Sequence, residues 1–343
     1  MKLRDFYRST LLSVMLLGVA ACATTPIPPA QHLAQQDSYH EEISVNRQGL
    51  KLFSRFWHPI DFSQDLANPT PPKGIVIIIH GTSLHSGLYS KLGKTLADEG
   101  FLVQGVDLQG WGQSQSKGAK GFVESFDDYV LDVSTYINRF KLDHPTTPVY
   151  LVGESLGGTV AVYGSLKQQL TIDGIITSGV GYKPNPALLG IRAPGFINSM
   201  NQSMGELWGG VFPNWPAVPS DIGIRAVIED DTLQNKLLSD PYVTHGWLPA
   251  AYITALISAS DYIADNLEAL DIPLLLLHGE RDSLIPVESS KEIYQHASSS
   301  DKTLKVYNSE HTVLLEPEHV QAVKDIKHWL NERVIDNRFV ATH

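Results

Sequence analysis

Five residues, Gly153-Glu154-Ser155-Leu156-Gly157, constrain this chain more than any other feature of its sequence. They follow the apolar run Val149-Tyr150-Leu151-Val152 and precede a stretch of helical character, so a G-x-S-x-G falls where a strand would hand over to a helix. In that setting the glycines let the backbone make a strained turn and let the helix pack close to the strand, which leaves the serine hydroxyl proud of the sheet. The competing reading is a tight turn with an incidental serine. It is weakened by Gly158, a further small residue where the helix must approach the strand, and by the absence of a second match in the chain.

The surrounding pattern suits that turn. Ile75 to Ile79 is a continuous β-branched run of the kind found in strands buried on both faces of a parallel sheet. Similar runs follow at Leu102–Val106, Val149–Val152, Ile175–Thr177, Leu274–Leu277 and Leu304–Tyr307, and Ile43–Val45 with Leu50–Trp57 suggests an antiparallel opening pair. Helical periodicity lies between them. Ser125–Phe140 places Phe126, Tyr129, Val130, Val133, Ile137 and Phe140 on one face, with Ser125 and Asp128 spaced as a capping box. Tyr89, Leu92 and Leu96 stop before Gly100, and Val320, Val323, Ile326 and Leu330 follow Pro317. Eight strands with interleaved helices predict an α/β, doubly wound, mostly parallel eight-stranded sheet, as one domain over about residues 41–335. With 343 residues, 43% hydrophobic and 18% charged, the chain can bury the core such a sheet needs.

One interval is too long for a simple crossover. A whole βαβ unit takes about 30 residues, whereas Ser178 and Pro273 stand about 90 apart, so the spacing predicts an inserted cap over about residues 181–255. The segment is rich in Gly, Pro and aromatics, including Phe196, Trp208, Phe212, Trp215 and Trp247. Trp208, Phe212 and Trp215 are candidates for substrate binding; the alternative is that these rings form the insertion's own small core.

The N-terminus carries an address. Lys2, Arg4 and Arg8 precede an apolar run from Leu11 to Val19, and Val19-Ala20-Ala21 ends at Cys22, the chain's single cysteine. The run is short for a membrane span, and Val-Ala-Ala-Cys resembles a bacterial lipobox, in which the cysteine is acylated. Residues 1–21 then read as a lipoprotein signal peptide and residues 22–40, from Ala23 to His40 without helical or strand period, as an anchor and tether. The expectation is a bacterial envelope protein held to a membrane through acylated Cys22. One cysteine excludes an internal disulfide and a cysteine-based metal site, and a net charge of -11 argues against a nucleic-acid partner.

A serine hydroxyl is a poor nucleophile until a base takes its proton, so an acid and a histidine are sought downstream of Ser155. The run Leu274–Leu277 leads into His278-Gly279-Glu280-Arg281-Asp282, and Leu304–Tyr307 into Asn308-Ser309-Glu310-His311; both place candidates past strand ends, where α/β sheets keep their sites. Asp282 is the preferred acid, with Glu280 as competitor. His311 is the preferred base, since His296, His319 and His328 fall inside helical patterns. Oxyanion donors are expected from the backbone of Leu156, directly after the nucleophile, and of Thr82, in the loop His80-Gly81-Thr82-Ser83 that His80 would order.

These residues, with His85-Ser86-Gly87, Tyr89, Asp107, Gly110, Gly112, Gln113, Ser114, Leu314 and Glu316-Pro317-Glu318, resemble the monoacylglycerol lipase and lysophospholipase branch of the α/β-hydrolases from about Ile75 to Trp329. The resemblance implies a serine esterase with a hydrophobic cap, no cofactor and no metal, Ser155, Asp282 and His311 as triad, and Thr82 and Leu156 as oxyanion donors. Two positions depart from the pattern: Glu154 and Trp111 each stand where relatives often have histidine. The expected activity is cleavage of carboxylic esters of lipids such as monoacylglycerols or lysophospholipids. A short-chain carboxylesterase, thioesterase or small peptidase with the same triad is the alternative, and a non-catalytic envelope lipoprotein a remoter one. Serine at position 155 excludes the dehalogenase and epoxide-hydrolase chemistries, which need a carboxylate there.

Overall fold

The computed structural model describes residues 31–36, 38–59, 71–183 and 211–340. The signal peptide, Cys22, the first part of the tether, Phe196 and Trp208 lie outside the described residues. In chain order the strands are β1 (Gln31–Gln36), β2 (Tyr39–Val45), β3 (Lys51–Trp57), β4 (Ile75–Ile79), β5 (Leu102–Val106), β6 (Val149–Glu154), β7 (Gly174–Ser178), β8 (Pro216–Pro219), β9 (Trp247–Pro249), β10 (Leu274–Gly279) and β11 (Lys302–Tyr307). The helices are α1 (Ser90–Asp98), α2 (Phe126–Asp143), α3 (Leu156–Leu166), α4 (Ser220–Val227), α5 (Asp231–Ser239), α6 (Ala250–Asn266), α7 (Val287–His296) and α8 (His319–Val340).

Nine strands form one sheet in the order β1-β2-β3-β5-β4-β6-β7-β10-β11. From β5 to β11 every neighbouring pair is parallel, while β1, β2 and β3 join by antiparallel pairing. All eight expected strands are in it. The ninth is a correction to the tether: Gln31–Gln36 pairs with β2, from Gln31 opposite Ile43 to Gln36 opposite Tyr39. An edge strand is held by main-chain hydrogen bonds to one neighbour, so it needs no alternation of side chains.

The central strands explain their own composition. Ile75, Ile77 and Ile79 pack on one face against Val130, Val133 and Val160 of α2 and α3. Val76 and Ile78 face the other way, toward Leu92 and Leu96 of α1 and Ile326 and Leu330 of α8. With both faces covered there is no polar side to alternate with, and each fully buried Ile or Val contributes about 1.5–3 kcal/mol. Helix α2 starts where expected, with Ser125 Oγ accepting from Asp127 N at 3.1 Å. The expected reciprocal bond is absent, because the Asp128 carboxylate accepts from the Gln48 side chain instead.

The insertion leaves from the end of β7. It contains the two-stranded antiparallel sheet β8-β9 with α4 and α5, and α6 then completes the crossover by packing on α2 and α3 before β10 begins. Its small core consists of Ile224, Val227, Ile228, Leu237 and Val243 gathered around Leu84 from the loop after β4. Of the expected aromatics, the described ones, Phe212, Trp215 and Trp247, do not belong to that core. Phe212 and Trp215 pack on each other with ring centroids 6.2 Å apart and remain 48% and 57% exposed, and Trp247 is 58% exposed.

Candidate active site

The chain reverses direction across the sheet at β4: β5 lies on one side of it and β6 on the other. Such a switch opens a crevice beyond the carboxyl ends of the strands. Ser155 stands there, between the last residue of β6 and the first of α3, with φ 51° and ψ -110°. That conformation is sparsely populated for any residue with a Cβ, and it is enforced by its neighbours. Ser155 N donates to Ser178 O at 2.7 Å, and Ser155 O accepts from Thr159 N at 3.0 Å. The flanking glycines are required by contact: a Cβ on Gly157 would lie 2.1 Å from Ile79 O, and one on Gly153 would lie 2.3 Å from the Gly157 carbonyl carbon.

Three side chains from three strand ends meet at this turn. His311 Nε2 lies 2.8 Å from Ser155 Oγ, and His311 Nδ1 lies 2.7 Å from Asp282 Oδ2. Asp282 Oδ1 accepts from the backbone N–H groups of Leu284 at 3.0 Å and Ile285 at 2.8 Å. His278 was not singled out from the sequence. It is fully buried at the end of β10, with Nε2 3.2 Å from Asp282 Oδ2 and Nδ1 2.6 Å from Ser290 Oγ. Burial alone would raise the Asp282 pKa, but the His311 charge and the bonds from His278, His311 and Ile285 hold it well below the usual carboxylate range. Burial works to lower the His311 pKa; the Asp282 charge and hydrogen bond outweigh it, Glu154 and Glu310 add to them, and the net shift is upward. An ionised Asp282 accepting from Nδ1–H leaves the Nε2 lone pair aimed at the serine.

The competing residues are elsewhere. Glu280 is exposed, His296 ends α7, and His319 and His328 lie on α8, the latter paired with Glu332 at 3.2 Å.

The loop after β4 is braced by His80, as its position suggested. Its Nδ1–H donates to Gly81 O at 2.7 Å and its Nε2 accepts from Leu108 N at 3.1 Å. Burial pulls the His80 pKa down to about 4, so the ring stays neutral at physiological pH. Next in the loop, a Cβ on Gly81 would sit 3.5 Å from Ser155 Cβ, an ordinary packing distance. Thr82 and Leu156 line the same cavity as Ser155 and His311. Thr82 Oγ1 is 2.5 Å from Tyr252 Oη on α6, which ties this loop to the crossover helix. Below the loop, Asp107 accepts from Ser86 N at 2.7 Å and Gln113 N at 2.9 Å, with Arg55 Nη1 3.6 Å away. Trp111 is a core residue whose Nε1–H donates to Tyr129 Oη at 2.8 Å.

The cavity measures about 410 Å³. Its far wall is supplied by the insertion and α6, with Ile224, Val227, Ile228, Leu237, Leu248 and Leu256 among the lining residues. Phe212 and Trp215, expected as substrate-binding residues, are not among them, because they sit on the outer surface of the insertion. The signal that would have found that wall is the apolar run Ile224, Val227, Ile228, an i, i+3, i+4 spacing over the last turn of α4 and the residue that caps it. Of the described residues lining the cavity, only Glu154 and His311 carry side chains that ionise near neutrality. Glu154 is fully buried, with Oε2 accepting from Tyr89 Oη at 2.6 Å and Oε1 from Leu314 N at 3.1 Å.

Residues 70–318 match the family described as serine aminopeptidase, S33. A monoacylglycerol lipase of Mycolicibacterium smegmatis is 29% identical over 283 residues, covering 82% of this chain and 93% of that protein. A monoglyceride lipase of Rattus norvegicus is 28% identical over 320 residues, covering 91% and 96% respectively. Among solved structures, the monoacylglycerol lipase of Paleococcus ferrophilus superposes with a TM-score of 0.68 at 22% identity, covering 81% of this chain and 98% of that one.

Proposed function

This chain belongs to the serine aminopeptidase, S33 family of α/β-hydrolases and is a serine hydrolase acting on esters; from that premise we propose that it cleaves monoacylglycerols or lysophospholipids at a Ser155-His311-Asp282 triad. The observation that carries the lipid reading is the cavity beside Ser155, whose far wall is aliphatic. An aminopeptidase must hold a free α-ammonium with a carboxylate near the scissile bond. Here the one carboxylate among the described lining residues already has both oxygens bonded inside the protein, whereas an acyl chain needs only apolar area.

In this mechanism His311 Nε2 takes the proton of Ser155 Oγ as the oxygen attacks the ester carbonyl carbon. The carbonyl oxygen gains a negative charge and is met by the N–H groups of Thr82 and Leu156, each worth about 3 kcal/mol of barrier. The imidazolium returns its proton to the leaving alkoxide, which departs as glycerol or a glycerophospho-alcohol and leaves the fatty acyl group on Ser155. A water deprotonated by His311 then attacks the acyl-enzyme, the carbonyl is re-formed, the fatty acid leaves and the proton returns to Ser155 Oγ. Asp282 remains ionised throughout and steadies the imidazolium.

The protein is proposed to work at a bacterial membrane, anchored by acyl chains on Cys22. The exposed Phe212, Trp215 and Trp247 supply apolar surface suited to a lipid interface.

A fluorophosphonate probe should label the protein once, at Ser155, and Ser155→Ala should lower turnover by about 10⁴- to 10⁶-fold with the fold intact. Labelling at another serine, or retention of a tenth of the activity, would overturn the triad. Profiling p-nitrophenyl esters from acetyl to palmitoyl tests the substrate class; a preference for acetyl over every longer chain would favour the short-chain esterase reading. Cys22→Ala should release the protein from the membrane fraction while activity on soluble esters persists.

A further inference from the structure

Glu154 departs from the resemblance, and its surroundings give it a specific place. Its side chain joins three segments. Glu154 itself ends β6 and immediately precedes the nucleophile. Oε1 accepts from the backbone N–H of Leu314, three residues beyond His311. Oε2 accepts from Tyr89 Oη, and that same oxygen accepts in turn from the backbone N–H of Gly81 at 3.3 Å, one residue before Thr82. The elbow, the histidine loop and the oxyanion loop are therefore tied to one carboxylate with no water between them.

Resting on the triad reading above, we propose that Glu154 is a positioning residue which holds the oxyanion loop and the histidine loop in register with Ser155 and lends its negative charge to the imidazolium that forms on His311. Three other acids lie near this pair, Glu316, Asp282 and Glu310, and Glu310 is held aside by accepting from Ser283 N at 3.2 Å. The groups facing Glu154 are Tyr89, the Leu314 N–H, His311 and Glu316; His311 is in turn faced by Asp282, Glu154 and Glu310. Of these, Glu316 is engaged elsewhere, accepting from Glu229 N at 2.7 Å and Asp230 N at 3.3 Å in the insertion. Asp282 orients the base from its Nδ1 side, and Glu154 acts from the protein interior behind the nucleophile.

Burial pushes the Glu154 carboxyl up to about 7 against the bonds from Tyr89 and Leu314 and the pull of His311. His311 pulls the Glu154 value down and Glu154 pushes the His311 value up, so the acidic limb of the rate profile senses the charge on Glu154. Ionised Glu154 favours imidazolium, so as pH falls the inactive protonated histidine forms earlier than it would beside a neutral neighbour. The same attraction favours the imidazolium produced during attack. Removing the charge must then change two readouts together: the limb moves to lower pH, and the plateau rate falls by no more than the factor corresponding to that shift, since one unit is a factor of ten.

The test is Glu154→Gln, whose amide oxygen still accepts from Leu314 N. The acidic limb of kcat/KM should move down by roughly 0.5–1 unit, with a loss of about 3- to 10-fold in plateau kcat and little change in KM for a short soluble ester. Tyr89→Phe removes the acceptor for Gly81 N–H. It should lower kcat without raising KM, and the loss in the double variant should be smaller than the product of the two single losses. A limb unchanged within about 0.2 unit, or a double variant whose losses simply multiply, overturns the proposal. Fluorophosphonate labelling separates this from failure of the triad: wild type labelled at Ser155 with the limb unmoved refutes the role of Glu154 alone, whereas unlabelled wild-type Ser155 refutes the triad and this inference with it.

Discussion

Removing the Ser155 hydroxyl in two ways should give two different stabilities. Ser155 sits at φ 51° and ψ -110°, where a Cβ costs about 1–3 kcal/mol. Ser155→Ala deletes the hydroxyl that meets His311 but keeps the Cβ, and with it the strain. Ser155→Gly deletes the same hydroxyl and relieves the strain, at the expense of about 0.5–1 kcal/mol for the greater freedom of the unfolded chain. Since both variants lose the same bond to His311, the comparison isolates the backbone. The glycine variant should be more stable than the alanine variant by about 0.5–2 kcal/mol, although neither hydrolyses esters. At about 2–4 °C per kcal/mol for a protein of this class, the melting temperatures should differ by roughly 1–8 °C. Urea denaturation of the two proteins side by side, followed by far-UV circular dichroism, measures the difference directly. A glycine variant equal to or less stable than the alanine variant would refute the claim that the elbow stores strain.

Leu256→Trp, which adds bulk to the cavity wall, should lower kcat/KM for palmitoyl esters at least about 10-fold while leaving acetyl esters within about twofold, as read from a chain-length series. Asp282→Asn should reduce kcat by about 10³- to 10⁴-fold. Because the folded pKa of Asp282 is depressed, its contribution to stability is present above the ordinary carboxylate range and is lost as pH falls through the folded value; the asparagine variant should therefore lose less stability than wild type between pH 5 and pH 2 in acid titrations of the melting temperature. Leu237→Ala, at a fully buried site in the insertion's core, should cost about 2–5 kcal/mol in unfolding experiments and increase proteolytic nicking within the insertion.

The sequence exposed what depends on local rules. The elbow was legible because Gly157 cannot carry a Cβ against Ile79 O, and that demand is written into a five-residue spacing. Asp282 and His311 were legible because parallel strands announce their ends and acids and bases belong there. The strand Gln31–Gln36 was hidden because its partner supplies hydrogen bonds rather than a side-chain pattern. The aliphatic cavity lining was not legible, since it depends on which side of α4 turns inward, a matter of tertiary packing, whereas Phe212 and Trp215 drew attention as large aromatics. Glu154 was legible as a charge beside Ser155 that would favour the His311 imidazolium, but its bonding partners were not, and His278 could be counted but not assigned. Their roles depend on Tyr89, Leu314, Ser290 and Ile285, whose nearness only the folded chain creates.

The inserted segment departs just after β7 and rejoins the scaffold at Pro249, before α6 descends to β10. Helix α6, which follows it, runs back past its start, with Ser260 Oγ 3.3 Å from Gly181 O. The strands, the elbow and the loops carrying Asp282 and His311 keep their register on either side of this junction, with Ser178 beside Leu277. Such a layout works as a cassette: the wall over the cavity can be lengthened, shortened or exchanged by a single splice, while the strand-end loops beneath it stay in place.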